Sequence, residues 1–161
     1  MKLQKIIFLS ITAVFLSALI IFNYIEEIQV EDIKKVCFKK NCFEVELAIT
    51  STQRALGLMN RSSLDQNKAM LFIFPDEGRH GFWMKNTLIA LDIIWISKDK
   101  KVVYINKNTP PCESASPELQ RGEQEPCLSY RPDQSALYVL EINAGLAEKI
   151  GLQIGDKISF K

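Results

Sequence analysis

A single histidine, His80, serves a chain of 161 residues, and its scarcity limits the available chemistry. A Ser-His-Asp or Cys-His nucleophile system would have to use His80, which stands beside Gly81 in a turn with no nucleophile elbow around it. Zinc is disfavoured on similar grounds, because no Cys-x-x-Cys occurs and His80 has no second ligand motif near it. The chain also lacks any run of Lys and Arg, and its 20 basic residues are balanced by 19 acidic ones. Nucleic acid is therefore not an expected partner. Internal repeats, low-complexity tracts and cofactor signatures are absent too, so neither a metal nor a cofactor is expected.

The chain does contain one long apolar run. "MKLQKIIFLSITAVFLSALIIFNYIEE" places Lys2 and Lys5 before an uncharged stretch from Ile6 to Ile25, and Glu26, Glu27, Glu31 and Asp32 after it. About 20 apolar residues at ~1.5 Å each span the roughly 30 Å core of a bilayer. The basic flank stays in the cytoplasm. Residues 1–25 thus predict a single N-terminal transmembrane anchor in the cytoplasmic (inner) membrane, with the rest on the periplasmic or extracellular side. Secretion after cleavage of a signal peptide is the alternative, although a cleavable signal has a shorter apolar region and a small-residue site. Residues 26–42 read as a linker and first hairpin, and 43–161 as the extracytoplasmic domain. Cys37, Cys42, Cys112 and Cys127 all lie outside the span, where an even count reads as disulfides. Local pairing, Cys37 with Cys42 and Cys112 with Cys127, would close a hairpin tip and pin the polar segment "ESASPELQRGEQEP".

Strand-like composition recurs in FEVELAI (43–49), AMLFIF (69–74), HGFWMK (80–85), DIIWIS (92–97), KVVYIN (101–106), ALYVLEI (136–142) and KISF (157–160). Turn chemistry separates several of them, at PDEG (75–78), SKDK (97–100) and QIGD (153–156). Two short helices fit between, one capped by Thr50 or Ser51 and stopped by Gly57, the other capped by Asn143 and ended by Gly151. The pattern predicts a mainly β domain, a compact β-barrel or jelly-roll-like sandwich with one or two short helices. Residues 107–134 are too many for an ordinary connection and read as a pinned loop.

Two carboxylates stand out against that background. Strand parity puts Asp92 on the face of Ile94 and Ile96, and Glu141 on the face of Leu137 and Val139, so both are expected to point inward. Glu46, beside Glu44 and Ala48, is expected to face solvent or a groove. A buried carboxylate needs donors or must be neutral. Arg54 and Arg61, flanking "QRALGLMNR", are the expected donors, because a guanidinium fork satisfies both oxygens at once. Lys85 and Asn86 follow in "WMKNT", after Trp83. These residues give a candidate polar cluster of Arg54, Arg61, Trp83, Lys85, Asn86, Asp92 and Glu141. Its ordinary reading is structural: arginines tying a helical turn onto the barrel, with Trp83 filling core. Its functional reading is a polar pocket, with Asp92 and Glu141 as weak candidates for an acid and base pair.

The blocks "FEVELAITSTQRALGLMNRSSL", "AMLFIF", "FWMKNTLIALDIIWIS" and "YVLEINAGLAEKIGLQIGD" resemble, in order and spacing, the bacterial and archaeal family called domain of unknown function 192. The likeness covers about residues 43 to 160, with Ala69 where the family pattern usually has Gly. It implies a compact β-barrel or jelly-roll-like domain, often exported, and brings no activity, cofactor or catalytic residue. Two functions remain from the residues themselves. The first is a membrane-tethered, non-catalytic module that binds an envelope ligand or protein partner. The second is a hydrolase of an envelope glycan or related polymer using Asp92 and Glu141.

Overall fold

The structure, a computed structural model, describes Ser17, residues 32–112 and residues 127–161. The span expected over residues 6–25 lies outside the described residues apart from Ser17. Among the described residues no helix is long and apolar enough to cross a membrane. Residues 34–161 form one compact unit.

Its elements in order are β1 (Lys35–Phe38), β2 (Asn41–Ala48), α1 (Ser51–Leu56), β3 (Lys68–Gly78), β4 (Phe82–Trp83), β5 (Leu91–Ile96), β6 (Val102–Thr109), β7 (Ser129–Tyr130), β8 (Ala136–Asn143), α2 (Leu146–Lys149) and β9 (Ser159–Phe160). Seven strands form one sheet in the order β6-β5-β8-β3-β2-β1-β9, and β4 pairs with β7 in a separate two-stranded ribbon. The architecture is therefore mainly β with two short helices, as the composition predicts, but it is one curled sheet and not a stacked sandwich.

Side-chain contacts across the sheet show the curl. Tyr138 of β8 meets Phe160 of β9 edge to face, with ring centres 4.9 Å apart, although three strands separate β8 from β9 in the sheet. At one end the two edges also join. Val102 donates to the carbonyl of Asp156, and Gly155 and Ile158 donate back to Val102 and Lys100. The result is a half-barrel whose concave side carries Leu71, Ile94, Leu140 and Ile142, all buried. On the other side Leu58, Met70, Phe72, Met84, Ile93 and Trp95 pack into a second apolar cluster beneath the α1 turn and the ribbon.

Local chemistry explains the elements that were legible and those that were not. Thr50 caps α1 in a reciprocal box with Gln53, and Gly57 ends it at φ 49°. The connection through α1 lets β2 and β3 run parallel, which a tight turn cannot do. PDEG is not a turn: β3 continues through it to Gly78, with its register on β8 shifting between Ile73 and Gly78. Pro75 is tolerated because it falls where that ladder is interrupted and after β2 has ended its pairing, so no N–H is missed. The second helix is capped differently from expectation. Its N-cap is Gly145, with no capping side chain of its own, while Asn143 donates to the carbonyls of Leu64 and Asp65.

Both local disulfides are formed, Cys37–Cys42 across the β1–β2 hairpin and Cys112–Cys127. The first hairpin is integral to the sheet, since β1 pairs with β9 as well as β2. Within the expected loop, residues 113–126 lie outside the described residues, and 107–109 belong to β6.

Candidate functional site

Register decides which of the singled-out residues can meet. Asp92 pairs with Ile142 and Glu141 with Ile93, so the two carboxyls leave the sheet on opposite faces. Asp92 is wholly buried on the concave side. Its Oδ1 accepts the Asn108 amide and its Oδ2 the Ala147 amide, each at 2.8 Å. The carboxylate therefore serves as the missing N-terminal cap of α2 from a neighbouring strand, and it holds the end of β6 where Asn108 takes φ 53°. This overturns the expected pairing with arginine. Arg54 and Arg61 belong to the α1 turn on the convex side and have a sheet between them and Asp92.

Each arginine is occupied elsewhere. Arg61 makes a two-pronged bridge to Glu46, both bonds at 2.7 Å, which holds the Glu46 carboxyl below its ordinary range. Glu46 does face outward, as its alternation predicts. Arg54 donates through Nη1 to the carbonyls of Ile49 and Ile73. Its guanidinium carbon lies 5.1 Å from the centre of the Phe74 ring, and Phe74 stacks on His80. Burial holds His80 below its usual value despite the bond to the Asp76 carbonyl, and the charge of Arg54 acts in the same direction.

Glu141 meets no such partners. Only 5 % of it is exposed, its cross-strand neighbours are Met70 and Ile93, and no donor or acceptor among the described residues meets its carboxyl. Among the described residues no fully sealed side-chain oxygen or nitrogen lacks a partner, so the Glu141 oxygens must touch open space. That space is a pocket walled by the 54–59 turn, Phe72, Phe82, Trp83 and Thr87. Burial without compensation pushes Glu141 up to about 8, so it is a neutral acid at pH 7. The cavity is about 30 Å³. A single water needs about 10–15 Å³ by this measure, and a pocket that engulfs a drug-sized ligand has roughly 300–1,000 Å³. One functional group fits.

The mouth of the pocket is apolar and left open. Leu56 is 57 % exposed and Trp83 50 %, so Trp83 is not the core filler that its surroundings in sequence suggest. Lys85 Nζ sits 5.2 Å from the centre of the Trp83 ring. Asn86 takes no part in the pocket wall; its amide donates to the Cys112 carbonyl, and its own carbonyl accepts from the Asn60 amide. Of the expected cluster, the fold thus gathers Arg54, Trp83 and Glu141 around one cavity, with Lys85 against the Trp83 ring. It leaves Arg61, Asn86 and Asp92 outside. Sequence reasoning missed the wall formed by Leu56 to Met59 and the buried Thr87. No local signal could have found it, because the wall is assembled from elements far apart in the chain. Among the described residues, no group of three His, Cys, Asp or Glu side chains could hold a metal.

A family model described as "Uncharacterized ACR", domain of unknown function 192, matches residues 34–160. The chain belongs to that family. Relatives similar to it include a UPF0127 protein of Pyrococcus abyssi, 30 % identical over 73 % of this chain and 86 % of its own length. Among solved structures, a protein of unknown function from Novosphingobium aromaticivorans is 34 % identical, with a TM-score of 0.68 over 79 % of this chain and 84 % of its own. A Sinorhizobium meliloti chain, described as a candidate transcription regulator, is 28 % identical with a TM-score of 0.65, covering 78 % and 90 %. The family description and the first two names state no activity.

Proposed function

We propose that the domain is a non-catalytic binding module of the cell envelope, held at the outer side of the membrane by residues 1–25, and that it grips its ligand at the Glu141 pocket. One observation carries the binding reading: a nearly buried carboxyl without a partner, facing a cavity with an apolar, solvent-open rim. An unpaired buried polar group costs about 1–3 kcal/mol, and a ligand that satisfies it recovers that cost. Lys2 and Lys5 before an uncharged run, and two local disulfides after it, support the tether and the oxidising compartment. The description of the Sinorhizobium relative raises nucleic acid as a partner, but the balanced charge of this chain and its apolar pocket rim speak for a different ligand.

A glycan hydrolase would need two carboxyls flanking one bond. Asp92 and Glu141 face opposite sides of the sheet, and Asp92 is committed to two amides. Glu141 alone retains the raised affinity for a proton that an acid catalyst needs, and the carboxylate sharing its face, Glu46, is held by Arg61. A fragment titration of the ¹⁵N-labelled full chain tests the reading. Fragments are expected to shift the Trp83 indole and the 57–59 amides while leaving the buried Trp95 indole in place. Release of reducing ends from envelope glycan by the wild type, lost in Glu141→Gln, would make the enzyme reading correct instead.

A further inference from the structure

The polar side chains that line the Glu141 cavity are Arg54, Thr87 and Glu141 itself, and they are unequally occupied. The Arg54 guanidinium is engaged elsewhere, by the carbonyls of Ile49 and Ile73 and by the Phe74 ring. Thr87 is buried, and its hydroxyl donates to the Lys85 carbonyl at 3.5 Å but accepts from no described residue. Glu141 has neither donor nor acceptor among the described residues. The rest of the wall is largely apolar, with Leu58, Met59, Phe72 and Phe82 around the two oxygens-bearing groups. The cavity thus presents two acceptor groups with unclaimed lone pairs. A carboxyl accepts hydrogen bonds with or without its proton, so this demand is the same in either state.

Building on the binding reading above, we propose that the pocket takes a primary carboxamide on a short apolar stem, its two N–H groups meeting Glu141 and Thr87 and its stem lying against Leu56 and Trp83. The donor count selects the group. A carboxamide nitrogen carries two donors, and both acceptors border one cavity of about 30 Å³, which holds a single functional group. A hydroxyl carries one donor and leaves an acceptor unmet. A carboxylate brings none and sets its own lone pairs against those already there. An alkylammonium has donors enough, but it must strip water from a full charge between apolar walls, which costs more than burying a neutral amide. Water also offers two donors. What a guest adds is its stem, and the exposed Leu56 and Trp83 are apolar surface for that stem to cover.

The test is titration of the ¹⁵N-labelled full chain with propionamide, 1-propanol, propionate and propylammonium, guests of matched size. Shifts are read at the Trp83 indole and at the Gly57 and Leu58 amides. Propionamide should bind about tenfold more tightly than the others, as expected for one further acceptor satisfied. Glu141→Leu should weaken propionamide about tenfold, whereas Glu141→Gln keeps an acceptor oxygen and should stay within about threefold of wild type. Thr87→Val, of nearly the same shape, should bring propionamide down to the level of 1-propanol. Equal or tighter binding of any other guest would overturn the amide assignment and leave the binding reading standing. Full propionamide affinity in Glu141→Leu or Thr87→Val would do the same. Silence of all these signals toward every guest would overturn both.

Discussion

Asp92 and Glu141 sit one register step apart on neighbouring strands, yet their energetics are opposite. Asp92 satisfies two buried amides at once. Asp92→Ala strands both N–H groups, and at about 1–3 kcal/mol each the loss should be on the order of 2–6 kcal/mol in denaturant melts. Asp92→Asn keeps one acceptor but turns its NH₂ toward an amide donor, so it should also melt lower. Removing Arg54 together with Asp92 should recover none of this loss, since the two do not touch. Glu141 is paired with nothing, and its proton binding is raised from 4.5 to about 8. The unfolded chain releases this proton from about 4.5 upward, while the folded chain holds it to about 8. The contribution of Glu141 to stability is therefore full below about 4.5 and is lost as pH rises to about 8. Compared with Glu141→Gln, the wild type should lose roughly 1.4 kcal/mol per pH unit across that window. Melts of both proteins at pH 5 and 7 check the sign: Glu141→Gln should gain relative stability on going to pH 7.

At the level of elements, the second disulfide does more than close its own loop. The Cys112 carbonyl accepts the Asn86 amide, and Cys112 bridges to Lys85 and Thr87, so it anchors the chain that follows Trp83. A non-reducing peptide map should show Cys37 linked to Cys42 and Cys112 to Cys127. Replacing Cys112 and Cys127 by serine removes a closed loop of ~15 residues, worth about 3 kcal/mol on the chain-entropy model. It should also broaden the Trp83 indole signal, while the pair Cys37→Ser and Cys42→Ser should leave that signal sharp. The elements were legible where a local signal agreed with its surroundings, as with the Thr50 cap and the Gly57 stop. They were illegible where tertiary contact took over. Pro75 and Gly78 look like a turn because the sequence cannot show that the neighbouring ladder lapses there. The cap of α2 comes from Asp92, which is remote in sequence, so the nearby Asn143 was an attractive but wrong choice.

For the whole molecule, the same contrast holds for the site. Alternation was enough to place both carboxyls inward and to leave Glu46 exposed, although Glu46 shares a face with Glu141. Donor assignment failed because it depends on which side of the sheet α1 lies, and that is set by the parallel β2–β3 crossing. The pocket was invisible for the same reason: its walls come from α1, β3, β4 and β8. Topology of the chain can be tested directly. Alkaline phosphatase fused after Ile25 should be active, and the native protein should stay with membranes through a high-salt wash; a shortened soluble form would mean that the segment is a cleaved signal. Within the folded unit, β5 is paired on both sides and all six of its residues are buried. Its amides can meet solvent only when the entire sheet comes apart, so their hydrogen-exchange rates report the global opening free energy. The β4–β7 ribbon lies outside that sheet and has only two pairs to break before it opens. One exchange experiment on the native protein thus contains two clocks. The slow one runs with the fold as a whole, and the fast one with the Trp83 wall of the pocket.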